Sequence, residues 1–212
     1  MSSTITEVRS LGELLRALGT APAGGRAVAL IGGADALSDD DRAALEQFFS
    51  VLVEHLEGKG TAVVDGGTDS GVMRLIGDER AARNASFRLV AVVPSGALER
   101  RTRDGAEIRL APGHPEIVLV PGSAFGDESE WLFAAADHLG GGSAPTIVIN
   151  GGRLTHEEAT ARLAADRPVV AVAGSGRAAD ELAGDEGLRA SGRLRVVPLT
   201  ADAATLSAAL EA

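Results

Sequence analysis

The sequence predicts an α/β protein: a doubly wound, mainly parallel Rossmann-like sheet of about seven strands with helices on both faces. Three observations carry that expectation. Strand-like and helix-like segments alternate along almost the whole chain, the order from which βαβ units build a parallel sheet. The segments Val118-Leu119-Val120, Ile147-Val148-Ile149 and Val169-Val170-Ala171-Val172 are apolar without a break, as strands covered on both faces require. Four strand-like runs end in a glycine-rich turn that opens a helix-like segment, and in a parallel sheet those turns share the edge where ligands bind.

Taken in order, Ile5, Val8, Leu11, Leu15 and Leu18 recur at helical spacing, so residues 4–19 read as an amphipathic helix. Ala21 to Gly25 read as a Pro/Gly linker. Residues 1–25 are thus expected to be an N-terminal helix and linker, and 26–212 a single domain. The first strand, Ala27 to Ile31, ends at Gly32-Gly33. Ser38 and Asp41 then form an N-cap pair for a helix running to about His55. The acidic run Asp39-Asp40-Asp41 answers the positive end of that helix rather than a metal. The second strand, Thr61 to Asp65, leads through a turn at 66–71 into a helix reaching about Asn84, with Ser70 at its N-cap. The third, Arg88 to Val93, is closed by Pro94. Residues 95–115 form a long polar segment with Arg100, Arg101, Arg103 and His114, a length commonly functional in compact domains. The fourth strand, Ile117 to Val120, precedes a helix that runs through Trp131 to about Leu139. The fifth, Thr146 to Asn150, is followed by a capping box, Thr155-His156-Glu157-Glu158. Pro168 to Ala173 and Leu194 to Pro198 complete the strands, and a short helix near 202–211 ends the chain.

Composition removes several function classes. With 212 residues, 45% of them hydrophobic, the chain has the length and apolar content for one large folded domain. A net charge of −10 opposes binding to nucleic acid or a membrane surface, both of which need a basic footprint. Cys 0 excludes disulfides and thiolate chemistry, and with no signal-like or spanning apolar run it points to the cytoplasm. Lys59 is the single lysine and follows no phosphate-binding loop, which excludes the P-loop and pyridoxal classes. The histidines, His55, His114, His138 and His156, lack zinc-ligand spacing, and no G-x-S-x-G elbow is present.

The chemistry therefore rests on the turns. Gly32 and Gly33 end the first strand. In Asp65-Gly66-Gly67-Thr68-Asp69-Ser70-Gly71 the glycines allow close approach, Thr68 and Ser70 offer hydroxyls, and Gly71 starts a helix whose free N–H groups attract anions. Gly122, Ser123 and Gly126 form a third turn, with Asp127, Glu128 and Glu130 at the following helix start. Those carboxylates suit the helix dipole, a grip on ribose hydroxyls, or general acid–base work. Phe125 and Trp131 are placed to stack on a base, although core packing suits Trp131 better. Gly151 lies in the fifth strand's turn. Gly174-Ser175-Gly176-Arg177-Ala178-Ala179 fits G-x-G-x-x-G/A but sits late in the chain, and no acidic residue ends the next strand. Hydride transfer is disfavoured on that count, and Arg177 instead offers a bidentate grip on phosphate, favoured over a surface salt bridge with Asp180 or Glu181.

The stretches Asp65-Gly66-Gly67-Thr68-Asp69-Ser70-Gly71-Val72-Met73 and Gly174-Ser175-Gly176-Arg177-Ala178-Ala179-Asp180 resemble two motifs of the SLOG superfamily. They are most similar to its prokaryotic members related to the N-terminal domain of melastatin-type TRP channels. The resemblance runs from about Ala27 to Pro198. It implies a Rossmann-like receptor for a nucleotide-derived small molecule, ADP-ribose- or NAD-like or cyclic-nucleotide-like. It also implies a tendency to self-associate into homo-oligomers; no cofactor is expected beyond the nucleotide-derived ligand, and the histidine spacing gives no metal site. The enzymatic branch, the LONELY GUY phosphoribohydrolases, carries P-G-G-x-G-T-x-x-E. Pro121, Gly122, Gly126 and Glu130 match it with one extra residue, while Ser123 and Asp127 replace its second glycine and its threonine. The alternative implied is an N-glycosidic hydrolase with Glu130 as the catalytic group.

Overall fold

A computed structural model describes residues 3–21, 23–33, 39–98 and 109–211, with the backbone alone for 39–42. Ser38 and the arginines Arg100, Arg101 and Arg103 lie outside the described residues, as does the side chain of Asp41. Eight parallel strands form one sheet: β1 (Thr4–Glu7), β2 (Ala27–Gly32), β3 (Ala62–Asp65), β4 (Leu89–Pro94), β5 (Glu116–Val120), β6 (Thr146–Ile149), β7 (Val169–Ala173) and β8 (Leu194–Pro198). Their order across the sheet is β1-β5-β4-β3-β2-β6-β7-β8. The helices are α1 (Leu11–Leu18), α2 (Asp39–Lys59), α3 (Gly71–Ala82), α4 (Ser129–Leu139), α5 (Arg153–Ala164), α6 (Arg177–Gly184), α7 (Glu186–Ala190) and α8 (Ala203–Glu211).

The apolar strands behave as continuous burial demands. β2, β3, β4 and β6 are buried through nearly every residue, because helices cover both faces. On one face Phe48, Phe49 and Leu52 of α2, Ile76 of α3 and Leu206 of α8 pack against Val28, Leu30 and Ile147. On the other, Leu14 of α1, Leu132 and Leu139 of α4, Ala159 of α5 and Leu182 of α6 pack against Ala29, Val90 and Val148. Among the described residues no helix is long and apolar enough to cross a membrane.

Two local expectations are corrected. Residues 4–19 are not one helix: Thr4–Glu7 form the edge strand β1, paired with β5 in the register Ile5↔Ile117, and this is the eighth strand. The helix begins only after Ser10, whose hydroxyl accepts the Glu13 N–H at 3.2 Å while Glu13 accepts the Arg9 N–H at 2.7 Å. Thr4, Ile5 and Thr6 are β-branched and suit an extended chain beside β5. Nor does Thr155 cap α5. The cap is Gly152, because Asn150 (φ 53°) and Gly151 (φ 91°) reverse the chain at once and let the helix start earlier.

The connectivity places the functional edge. From β2 the chain winds through β3 and β4 to β5 on one side, then returns to lay β6 against the free side of β2, in the register Leu30↔Ile147. β7 and β8 extend the sheet the other way. The turnover point is therefore between β2 and β6, and the crevice outside their carboxyl ends is where open α/β sheets receive ligands.

Candidate functional site

At that crevice lies a cleft of about 530 Å³, and its floor is bare backbone. A Cβ on Gly32 would stand 2.2 Å from the Ile149 carbonyl oxygen, and one on Gly33 would stand 2.9 Å from Gly151 Cα. The ends of β2 and β6 come this close only because both positions lack side chains.

One wall is the turn from β3 into α3. Asp65, fully buried, accepts the Gly67 N–H at 2.9 Å and holds His114 Nε2 at 2.9 Å from each carboxylate oxygen. Burial acts to lower the His114 pKa, but the Asp65 charge and hydrogen bond outweigh it, and the imidazole is raised above its ordinary 6.5. The pair pins the returning chain against the turn: Asp69 donates its N–H to Arg109 O at 2.8 Å and Ala111 donates to Gly67 O at 2.8 Å. Arg109 is thereby brought to the cleft. Ser70 stands at the N-cap of α3, yet its hydroxyl lies 3.3 Å from that of Thr68 and makes no capping bond. The first amides of α3 are left open. Asp69 also lines this wall, with Arg74 Nη1 3.5 Å from it.

The facing wall is the start of α5, again without a side-chain cap at Gly152. Arg177 reaches across it, its Nη2 atom 3.1 Å from where a Gly152 Cβ would stand. Among the described residues no carboxylate pairs with Arg177. Asp180, the neighbour available for such a pair, instead accepts the Gly174 N–H at 2.6 Å. Two helix N-termini and two guanidinium groups therefore border one cleft, an arrangement that favours an anion.

The third wall runs between α4 and α5. Glu128 is buried, and its carboxylate accepts the Gly126 N–H at 2.7 Å. Glu158 takes a hydrogen bond from the Ser129 hydroxyl. Burial pushes Glu158 up to about 7; the Ser129 hydrogen bond opposes this, and the nearby Glu128 charge adds to it. Burial also raises Glu128, against the pull of its own backbone N–H and of the Gly126 amide, and the Asp127 charge adds to the rise. At the far end Arg162 ties the two helices together by donating to both Asp137 oxygens at 2.9 and 2.8 Å.

Of the residues singled out in the sequence, Gly32, Gly33, Gly66, Thr68, Ser70, Glu128 and Arg177 line the cleft. Gly67 and Gly71 shape the turn behind it, at φ 59° and 45°. Gly122, Ser123, Gly126 and Asp127 stand outside the lining, for a definite reason: Asp127 accepts the Ser123 and Ala124 amides at 2.8 and 3.0 Å and fills that nest itself. Glu130 is exposed and off the lining. Gly151, Gly174, Ser175 and Gly176 are also set back. The Ser175 hydroxyl donates to Val172 O and accepts the Asn150 N–H, while Ala178 and Ala179 donate their amides to Gly151 and Asn150. That glycine turn locks β6 to β7 and delivers Arg177. Trp131 packs against the core, as its composition favoured, whereas Phe125 lines the cleft half exposed.

Arg109, Leu154 and Glu158 also line the cleft, and no motif marks them. Glu158 coincides with the apparent capping box, and its spacing of four from Leu154 is the signal that both share one helix face.

Comparison with known proteins agrees with this architecture. The molybdenum cofactor binding protein from the phototrophic bacterium Rippkaea orientalis superposes with a TM-score of 0.56 at 15% identity, covering 86% of this chain and 93% of that one. The molybdenum cofactor carrier protein from Chlamydomonas reinhardtii gives 0.57 at 19% identity, covering 87% and 95%. The structural-genomics target TM1055 gives 0.56 at 21% identity, covering 82% and 91%. At such identities the likeness is one of fold. No curated protein matches the sequence. The family model described as "SLOG in TRPM, prokaryote" matches residues 26–208, and the chain belongs to that family.

Proposed function

We propose that the chain is a cytoplasmic SLOG-type receptor or carrier that reversibly binds a nucleotide-derived small molecule, of the ADP-ribose, NAD or cyclic-nucleotide kind, in the cleft outside β2 and β6. The observation that carries this reading is the convergence of the uncapped α3 and α5 N-termini with Arg109 and Arg177 on one cavity. A phosphate held by main-chain dipoles and two guanidinium groups, with no lysine in the cleft lining and no metal-ligand cluster among the described residues, is retained moderately and released readily. Two fold neighbours, a binding protein and a carrier protein of the molybdenum cofactor, support a cleft suited to small-molecule cargo. Arg177→Ala is expected to weaken ADP-ribose or nucleotide binding about tenfold or more, the loss of one charge-assisted contact. Calorimetry on the wild type and the variant measures this, and an unchanged affinity refutes the role.

A second reading, N-glycosidic hydrolysis, is favoured by one observation: Glu158, held near neutrality beside Glu128, has the proton affinity of a general acid. Base release from nucleoside monophosphates, NAD or ADP-ribose, abolished in Glu158→Gln, would establish it. Glu130→Gln, altered at an exposed position, separates that pair from the motif-matched glutamate.

A further inference from the structure

The turn between β5 and α4 has the glycines of an anion loop, but its own carboxylates occupy its amides. Asp127 takes the Ser123 and Ala124 N–H groups at 2.8 and 3.0 Å, and Glu128 takes the Gly126 N–H at 2.7 Å. Asp127 also donates its own N–H to Ala124 O at 3.2 Å. The backbone is therefore tied on both sides of Phe125. Gly122 makes room for this, since a Cβ there would stand 2.6 Å from Asp127 Cβ.

What the tied turn holds out is Phe125, its one aromatic side chain. Among the described residues three large apolar side chains are exposed: Ile5 at 57%, Phe125 at 48% and Leu154 at 38%. Ile5 belongs to the edge strand, but the other two line the cleft, with Leu132 beside them. The Phe125 turn touches the first turn of α5, because a Cβ on Gly126 would stand 3.2 Å from Leu154 Cδ1. Gly152, at the anion-favouring end, and Leu154 lie within one turn of that helix, a length of about 5.4 Å. A ring joined to a phosphate through one sugar spans that interval. An apolar side chain from a partner protein would cover Phe125 and Leu154 but leave the guanidinium groups of the same cleft without a counter-charge. A phosphate that carries a flat ring answers both.

Resting on the reading above, we propose that Phe125 is a fixed aromatic plate for the ligand's planar ring, with Leu154 as the adjoining aliphatic surface, and that Asp127 is a positioning residue that holds the plate. The turn itself takes no phosphate. Stacking uses the face of a ring and not its edge, so the subsite accepts any nucleobase and gains with ring area.

The test is calorimetry on the full chain with AMP, UMP and ribose 5-phosphate, with thermal melts to show that each variant is folded. AMP is expected to bind about tenfold or more tightly than ribose 5-phosphate, with UMP between them. Phe125→Ala should remove most of that advantage for both bases and leave ribose 5-phosphate binding as in the wild type, while Phe125→Tyr should keep it. Asp127→Ala should weaken AMP several-fold, and add nothing where Phe125 is already alanine. AMP no tighter than ribose 5-phosphate overturns the proposal, as does an advantage that survives Phe125→Ala. An Asp127→Ala loss of the same size in the Phe125→Ala background overturns the positioning role. Light scattering on the same variants covers the other occupant: an oligomer that Phe125→Ala dissociates, with nucleotide affinities untouched, would make the patch an interface between copies and overturn the plate. In each of these cases ribose 5-phosphate binding leaves the receptor reading standing, whereas failure of all three ligands to bind overturns both.

Discussion

Glu158 sits at the junction of two demands, burial against α4 and access to the cleft, and its proton answers both. Because the folded chain holds that proton up to about 7 while an unfolded glutamate releases it near 4.5, the native state binds more protons between those values. Stability accordingly declines as pH rises through that window and is level above it, a contribution on the order of 3 kcal/mol. His114, raised above 6.5, and the raised Glu128 act in the same sense. The difference between wild type and Glu158→Gln therefore isolates this one group. Urea denaturation at about pH 5 and about pH 8 should show a smaller loss in the variant, and parallel losses would contradict it. At this scale the sequence narrowed Arg177 to two uses, a grip on a ligand or a surface ion pair. The side chain reaches the cleft, while Asp180 accepts the Gly174 N–H. Asp127 was not legible, because whether a carboxylate grips a ligand or its own turn depends on a rotamer and on two amides three and four residues back.

Among the elements, the helix starts matter more than the helices. α3 and α5 present open amides, whereas the start of α6 is consumed by carbonyls of the β6 turn, so similar glycine turns serve two different ends. The alternation of strands and turns was readable from hydrophobic runs punctuated by glycine, and seven of the eight strands follow from it. The missing one, β1, is short, largely exposed and adjacent to a helix of compatible spacing, so its one large apolar residue merges into the helical pattern. The openness of a turn is invisible in one dimension: it follows from which neighbouring strand end lies beside it. Gly152→Ala tests the α5 start directly. The added methyl would press on Arg177 Nη2 at 3.1 Å, the far end of a flexible side chain that can move away. The expected outcome is a modest stability loss, ~0.5–1 kcal/mol or less, with a several-fold weaker affinity for phosphate-bearing ligands. Thermal melts and calorimetry on the same sample separate the two effects.

For the molecule as a whole, the sheet separates two large apolar layers, with a smaller cluster of Ala91, Val93 and Ile117 on β4 and β5. The cleft is the exception. Its walls are α3 from one layer and α4 and α5 from the other, joined over the tips of β2 and β6. An occupant touching all three walls would fasten the two layers at a point where backbone alone now connects them, as a rivet holds plates pressed to a common sheet. Hydrogen exchange should then slow in α2 and α8 as well as in α4, although those two helices contribute nothing to the cleft lining among the described residues. Slowing confined to the cleft walls would mean that each layer still opens independently.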